Sequence, residues 1–433
     1  MTGGQALLAD SESRLDAGDA LAALRGLAPL LAAEPANLTA WHRLAVALLV
    51  AGEREAGLAA LASAGEAEAD GGNLPMALVA HALLSRHDAT GAAALLEHCA
   101  RIYAADSGGV ARDKAVPPPF PSSPTAPSPL AENLPPGEVV RLARAAAERA
   151  AAAARERPSA PKPAWPIFST LDAGLFRQFV SVLVLRTVRM DAVVIEQGEE
   201  ARSFFVVASG TLRVMRGEAM LGVLRAGAFF GEMALLARTT RQARVVAVSR
   251  AELFEIEASA IEDLARRAPD LVETIAGYCR RRLLDNVART SSVLQALPEE
   301  ERRPLLARFS SAIHAPGAPL LREGAIGDGL RIVCSGAVAV ERSDGDDHVR
   351  LATLGPGDVF GEISLVGRRP ATATVRTLTR AVTLHLSRAD FEEVVGRHPA
   401  LLSRLQALGA DREREADLLM RGAEVAVGDD ALL

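Results

Sequence analysis

Cysteine is scarce in this 433-residue chain. Cys99, Cys279 and Cys334 lie far apart, with neither metal-ligand nor redox spacing, so a disulfide framework is excluded and a reducing compartment is expected. Lysine is scarcer still, at Lys114 and Lys162 alone, with arginine supplying the remaining positive charge. That bias, shared with heavy alanine use, is mutational in character, so one arginine at an interesting place carries less weight here than usual. A net charge of −6 leaves no global basic field for nucleic acid or an acidic membrane. No apolar run approaches the length of a membrane span, and Met1-Thr2-Gly3-Gly4-Gln5 is not a basic segment leading into an apolar signal core. The eight histidines show no ligand spacing, so no metal is expected. These absences together predict a cytoplasmic protein.

What the chain has instead is one device written twice. The stretch Ala226–Leu236, with Phe229-Phe230-Gly231-Glu232, returns as Gly355–Leu365, with Val359-Phe360-Gly361-Glu362. A glycine turn that feeds a short helix, with a carboxylate in its first turn, suits a sugar phosphate. Unpaired N–H groups face the anion while the carboxylate takes a hydroxyl. The repeat extends outward: Gly198 matches Gly324 and Ser209-Gly210 matches Ser335-Gly336 at an offset of 126, whereas Glu232 and Glu362 are 130 apart. The four extra residues fall around Ser343-Asp344-Gly345-Asp346-Asp347, where a longer hairpin turn is expected.

The segments Phe230-Gly231-Glu232 through Arg241-Gln242-Ala243 and Phe360-Gly361-Glu362 through Ala371-Thr372-Ala373 resemble the phosphate-binding cassette of cyclic nucleotide-binding domains. The resemblance covers roughly residues 166 to 420. It implies two β-rolls (double-stranded β-helix, jelly-roll-like) with flanking helices, the last of which moves when ligand arrives. In the family an arginine stands nine residues after the cassette glutamate. Arg241 holds that place in the first copy, so the resemblance implies that Glu232 accepts the ribose hydroxyl and Arg241 meets the phosphate. Phe230, Gly231, Met233, Ala234, Gln242 and Ala243 would complete the cradle for cAMP or cGMP, and Gln242 favours neither.

In the second copy the corresponding residue is Ala371. A hydrogen bond to a charged group contributes roughly 1.5–3 kcal/mol, so affinity there is expected to fall about ten- to more than a hundred-fold. Gly361, Glu362, Ile363, Ser364, Thr372 and Ala373 then form at most a second, weaker site, unless Arg368 or Arg369 reaches in from the preceding turn. Glu232 and Arg241 could also serve only as an ion pair that caps a short helix.

The remainder is helical and then proline-rich. From Ala6 to about Asp106 an Ala/Leu-rich pattern breaks at Ala17-Gly18-Asp19, Ala51-Gly52-Glu53 and His87-Asp88, 34 to 36 residues apart. Pro35, Trp41, Leu44, Leu61 and Ala64 resemble tetratricopeptide positions, although Ala45, Leu48 and Gly57 depart from that pattern. A small bundle is the competing reading. Prolines between Val116 and Pro136 and again from Pro158 to Pro166 predict an extended linker that lets the arms swing.

The expected fold is therefore multidomain α+β. Residues 1–109 form helical repeats, 110–165 a Pro/Ala-rich linker with a helix at about 137–157, 166–290 the first nucleotide-binding domain, and 291–433 a degenerate second one with a C-terminal helix. The expected function is a non-enzymatic cyclic-nucleotide sensor, with no catalytic residues, that relays to an unidentified protein partner through the helical repeats. A ligand-free scaffold and a kinase regulatory subunit-like inhibitor are the alternatives, the latter resting on the weak pseudosubstrate match Arg155-Glu156-Arg157-Pro158-Ser159. Residues 422–433 are too few for a helix-turn-helix, so no direct DNA binding is expected. No membrane partner is expected, and a homodimer stays open.

Overall fold

The computed structural model describes residues 3–107, 110–114, 127–156, 162–165, 167–231, 240–241, 243–267, 291–344 and 347–430, with isolated positions between 268 and 290. Six helices come first: α1 (Gly3–Asp16), α2 (Ala20–Ala33), α3 (Leu38–Val50), α4 (Arg54–Asp70), α5 (Leu74–Leu84) and α6 (Ala89–Tyr103). Their starts are fixed locally, because the side chains of Asp19, Asn37 and Asp88 accept hydrogen bonds from the amides of Ala22, Ala40 and Gly91. Successive helices pack as antiparallel neighbours, and Trp41, Leu44, Leu61 and Ala64 are all buried between them.

The helix within the linker is docked, where freely swinging arms were expected; residues 115–126 and 157–161 lie outside the described residues. Helix α7 (Pro136–Arg155) turns back and packs across α2, α3 and α4, burying Val139, Ala143, Ala146 and Ala150 at helical spacing. Arg25 donates to the carbonyls of Glu132 and Leu134, and Arg144 pairs with Glu53. Strand β1 (Val110–Lys114) pairs in parallel with β2 (Lys162–Ala164). An alanine stripe is narrow enough for close helix approach, a gain that proline content could not reveal.

Two rolls follow. The first contains α8 (Ala173–Ser181) and strands β3 (Val184–Val188), β4 (Val193–Ile195), β5 (Ser203–Ser209), β6 (Leu212–Arg216), β7 (Ala219–Leu224), β8 (Phe229–Phe230), β9 (Arg244–Ala247) and β10 (Ala251–Glu257), then α9 (Ala258–Arg267). The second contains α10 (Glu299–Leu306) and strands β11 (Ser310–His314), β12 (Pro319–Leu321), β13 (Gly329–Ser335), β14 (Val338–Asp344), β15 (Asp347–Leu354), β16 (Val359–Phe360), β17 (Thr374–Thr377) and β18 (Ala381–Ser387). Helices α11 (Glu362–Val366), α12 (Arg388–Arg397) and α13 (Pro399–Asp430) belong to this second roll. Each roll has two four-stranded sheets of one topology: β3-β10-β5-β8 with β4-β9-β6-β7, and β11-β18-β13-β16 with β12-β17-β14-β15. The four-residue insertion does not enlarge the turn. It lengthens the hairpin, since β14 and β15 have 7 and 8 residues against 5 and 6 in β6 and β7.

Strand β5 is buried almost throughout because both of its faces are covered. Phe204, Val206 and Ala208 join the core of the helical region, whereas Phe205 and Val207 point into the roll. The helical array is thus docked on the first roll through a shared core. Within that junction Arg43 of α3 donates to both carboxylate oxygens of Glu252 on β10, at 2.5 and 3.0 Å, with both side chains nearly inaccessible. Burial alone would raise the Glu252 carboxyl, but the charge and paired hydrogen bonds of Arg43 outweigh it and hold the group down at about 2.

Candidate functional site: two unequal cassettes

The two cassettes superpose in their backbone hydrogen bonds. Gly227 N–H donates to Val207 O and Val207 N–H to Ala228 O, as Gly357 does to Val333 and Val333 to Asp358. Gly198 N–H donates to Arg241 O, and Gly324 N–H donates to Ala371 O. Arg241 and Ala371 therefore occupy one structural position, and no shift of alignment restores the missing arginine.

In the first roll, β8 delivers Phe230 and Gly231 to the site. Gly231 has φ +85°, and a Cβ there would fall 2.7 Å from Arg241 Nη1, so only glycine lets the guanidinium approach this closely. Arg241 is 6% exposed. Its Nη1 donates to Gly231 O at 2.9 Å and its Nη2 to Ser203 O at 2.7 Å, which fixes the orientation of the fork. Its own backbone is clamped by Gly198 and by Glu199 O. Ala243 follows just before β9. Glu232, Met233, Ala234 and Gln242 lie outside the described residues.

In the second roll, Gly361, Glu362, Ile363, Ser364, Thr372 and Ala373 surround a single cavity of about 280 Å³, walled by Leu321, Leu354, Phe360 and Val375. Ser364 Oγ is engaged within the fold, donating to Arg369 O and accepting from Gly327 N–H. The rest of the wall comes from α13. Arg412 Nη1 donates to the buried Glu362 carboxylate and to Val359 O, both at 2.7 Å. Arg369 pairs with Glu413, and Arg342 with Asp417 at 3.6 Å. Three cations thus meet three anions across the cavity, so the carboxylate that would take a hydroxyl is held by the protein's own helix. Arg369 lines the cavity facing a carboxylate, whereas Arg368 is exposed and lies off its wall, so neither simply replaces the lost arginine.

Sequence reasoning missed Arg412, Glu413 and Asp417. Arg412 and Glu413 sit in a run of alternating charges, Asp411-Arg412-Glu413-Arg414-Glu415, with Asp417 two residues beyond it, and nothing in that stretch states which face the helix turns to the roll. Among the described residues no group of three His, Cys, Asp or Glu could hold a metal, and no helix is long and apolar enough to cross a membrane. Cys99 and Cys334 are buried, and Cys279 lies outside the described residues.

The sequence model of the cyclic nucleotide-binding domain matches residues 185–268 and again 314–398. The chain thus carries tandem cyclic nucleotide-binding domains behind an N-terminal helical region. It is similar to the cGMP-dependent protein kinase egl-4 of Caenorhabditis elegans, 31% identical over 229 residues, covering 52% of this chain and 28% of the kinase. It is also similar to the cAMP-dependent protein kinase type II regulatory subunit of Drosophila melanogaster, 26% identical over 231 residues, covering 53% of this chain and 59% of the subunit. The chain therefore spans less than two thirds of either relative. Among solved structures it is similar to the regulatory domain of Toxoplasma gondii PKA with cAMP, at 22% identity and a TM-score of 0.29, covering 57% of this chain and 92% of that one.

Proposed function

We propose that the protein is a non-enzymatic cyclic-nucleotide sensor, acting in the cytoplasm, that binds cAMP or cGMP in its first roll. The observation that carries this reading is the inequality at one backbone position: a buried, oriented guanidinium at Arg241 against a methyl group at Ala371. A cyclic phosphate bears one negative charge, and a guanidinium can meet two of its oxygens directionally. Phe230, Gly231, Glu232, Met233, Ala234, Gln242 and Ala243 would form the rest of the cradle. Ligand shifts the protein only by its differential affinity for two arrangements. The output is a protein partner contacted through the tetratricopeptide-like helices, and kinship with kinase regulatory subunits makes a kinase one candidate class.

The second roll supports a different role. Its Glu362 is held by Arg412 and its cavity is bordered by three ion pairs to α13, which favours a ligand-free structural module there. Isothermal titration of the whole chain with cAMP and with cGMP tests both readings. One site per chain, weakened about ten- to more than a hundred-fold by Arg241→Ala and unaffected by Arg412→Ala, is expected. Absence of heat with either nucleotide would leave the ligand-free scaffold as the better account of the whole protein.

A further inference from the structure

We propose that Trp165 is a positioning residue for the first cassette and couples its occupancy to the N-terminal helical region. This rests on the sensing role proposed for Arg241. Trp165 is 2% exposed, and its Nε1 donates to Gly72 O in the turn between α4 and α5. The same ring lies against Gly227, where a Cβ would fall 2.5 Å from Trp165 Cζ3. Gly227 has φ +82° and sits in the Arg225–Ala228 turn that launches β8. One indole therefore touches a helix turn on one side and the turn leading into the cassette on the other.

A second contact runs in parallel. The two residues of β8 face opposite ways, as strand neighbours must. Phe229 packs towards the helical side, 6.4 Å from the ring of Phe168. Phe230 stacks on Phe205 inside the roll at 5.1 Å and leads directly to Gly231, whose carbonyl holds Arg241. Between Trp165 and Phe168 stands Ile167, fully buried with φ 67°, a conformation that a β-branched residue adopts only when its surroundings impose it. Trp165, Ile167 and Phe168 are thus clamped between the helices and β8. A ligand held by Arg241 fixes Gly231, then β8, and so tightens the helical dock. By reciprocity, loosening the dock weakens the ligand.

Trp41 and Trp165 are the only tryptophans, so Trp41→Phe leaves Trp165 as a sole reporter. In that protein, cAMP or cGMP, whichever gives heat, is expected to change Trp165 emission with the midpoint found by calorimetry. Trp165→Ala is expected to weaken binding by about ten-fold and Trp165→Phe by about three-fold, each in protein whose circular dichroism matches the parent. A purely structural tryptophan would lower the melting temperature without reporting ligand. Calorimetric binding with unchanged Trp165 emission, or with Trp165→Phe and Trp165→Ala both binding as the parent does, overturns the coupling and leaves the sensing role intact. No heat with either nucleotide in the unmodified chain overturns both.

Discussion

Replacing Arg43 by methionine removes the ion pair that joins the helical array to the first roll, together with its pairing to Glu12 at 2.7 Å within the array. Methionine keeps much of the volume but removes the cation facing Glu252, leaving only Arg250, at 3.4 Å, near that carboxylate. Glu252 is buried and held well below the ordinary carboxylate value by Arg43. Removing one partner of such a buried, hydrogen-bonded pair costs about 3–5 kcal/mol. With a urea m-value of ~2–3 kcal/mol/M, the unfolding midpoint should fall by at least about 1 M. Tryptophan emission is the natural probe, since Trp41 and Trp165 both lie in the shared core.

The sign of the pH dependence provides a sharper test. A depressed carboxyl stabilises the fold above its ordinary value of 4.5, and that contribution is lost as pH falls from there through about 2. Without Arg43, burial raises the same carboxyl above its unfolded value, so the variant should lose stability as pH rises. The gap between the two proteins should therefore narrow as pH drops from 7 to below 5. Adding Glu252→Leu to Arg43→Met should recover most of the loss, because an apolar pair needs no counter-charge. A midpoint unchanged at pH 7, or a gap that widens in acid, would refute this account of the junction.

Three further outcomes are expected. Arg241→Ala should weaken cyclic-nucleotide binding about ten- to more than a hundred-fold, read by calorimetry on protein whose circular dichroism matches the parent, and should also lower the melting temperature because Gly231 O and Ser203 O lose their donor. Arg412→Ala strips the buried Glu362 of its cation and should destabilise the second roll by about 3 kcal/mol in denaturant unfolding, leaving the heat at the first site unchanged. Glu68 is fully buried, and desolvation pushes its carboxyl up to about 8 although Asn73 donates to it. A raised carboxyl stabilises below its unfolded value near 4.5 and loses that contribution as pH rises through about 8. Glu68→Gln should then gain on the parent by a few kcal/mol across that window, measured as melting temperature against pH; equal slopes for the two proteins would contradict it.

Much of this was legible in the residues. The duplication was readable because a tight turn with positive φ tolerates little but glycine, so Gly231 and Gly361 mark the same bend in both copies. The inequality of the copies was readable because Arg241 and Ala371 are tied to those glycines by short, fixed spacing. The insertion was located correctly at the hairpin, although extra residues that alternate in a strand pattern extend the ladder and do not swell the turn. The docking of α7 was not foreseen because proline content reports local stiffness and is silent on what an alanine-striped helix beyond it can bury.

The sequence by itself determined the two rolls, their order and which cassette keeps its guanidinium, because each depends on residues within about a dozen positions of one another. Tertiary structure alone decided that Arg412 occupies the carboxylate of the second cassette, 50 residues away, and that Arg43 reaches Glu252 across 209. Those pairings arise from which faces of helices and strands come together when apolar surface is buried. A charge in the sequence has no partner until that packing brings one within reach.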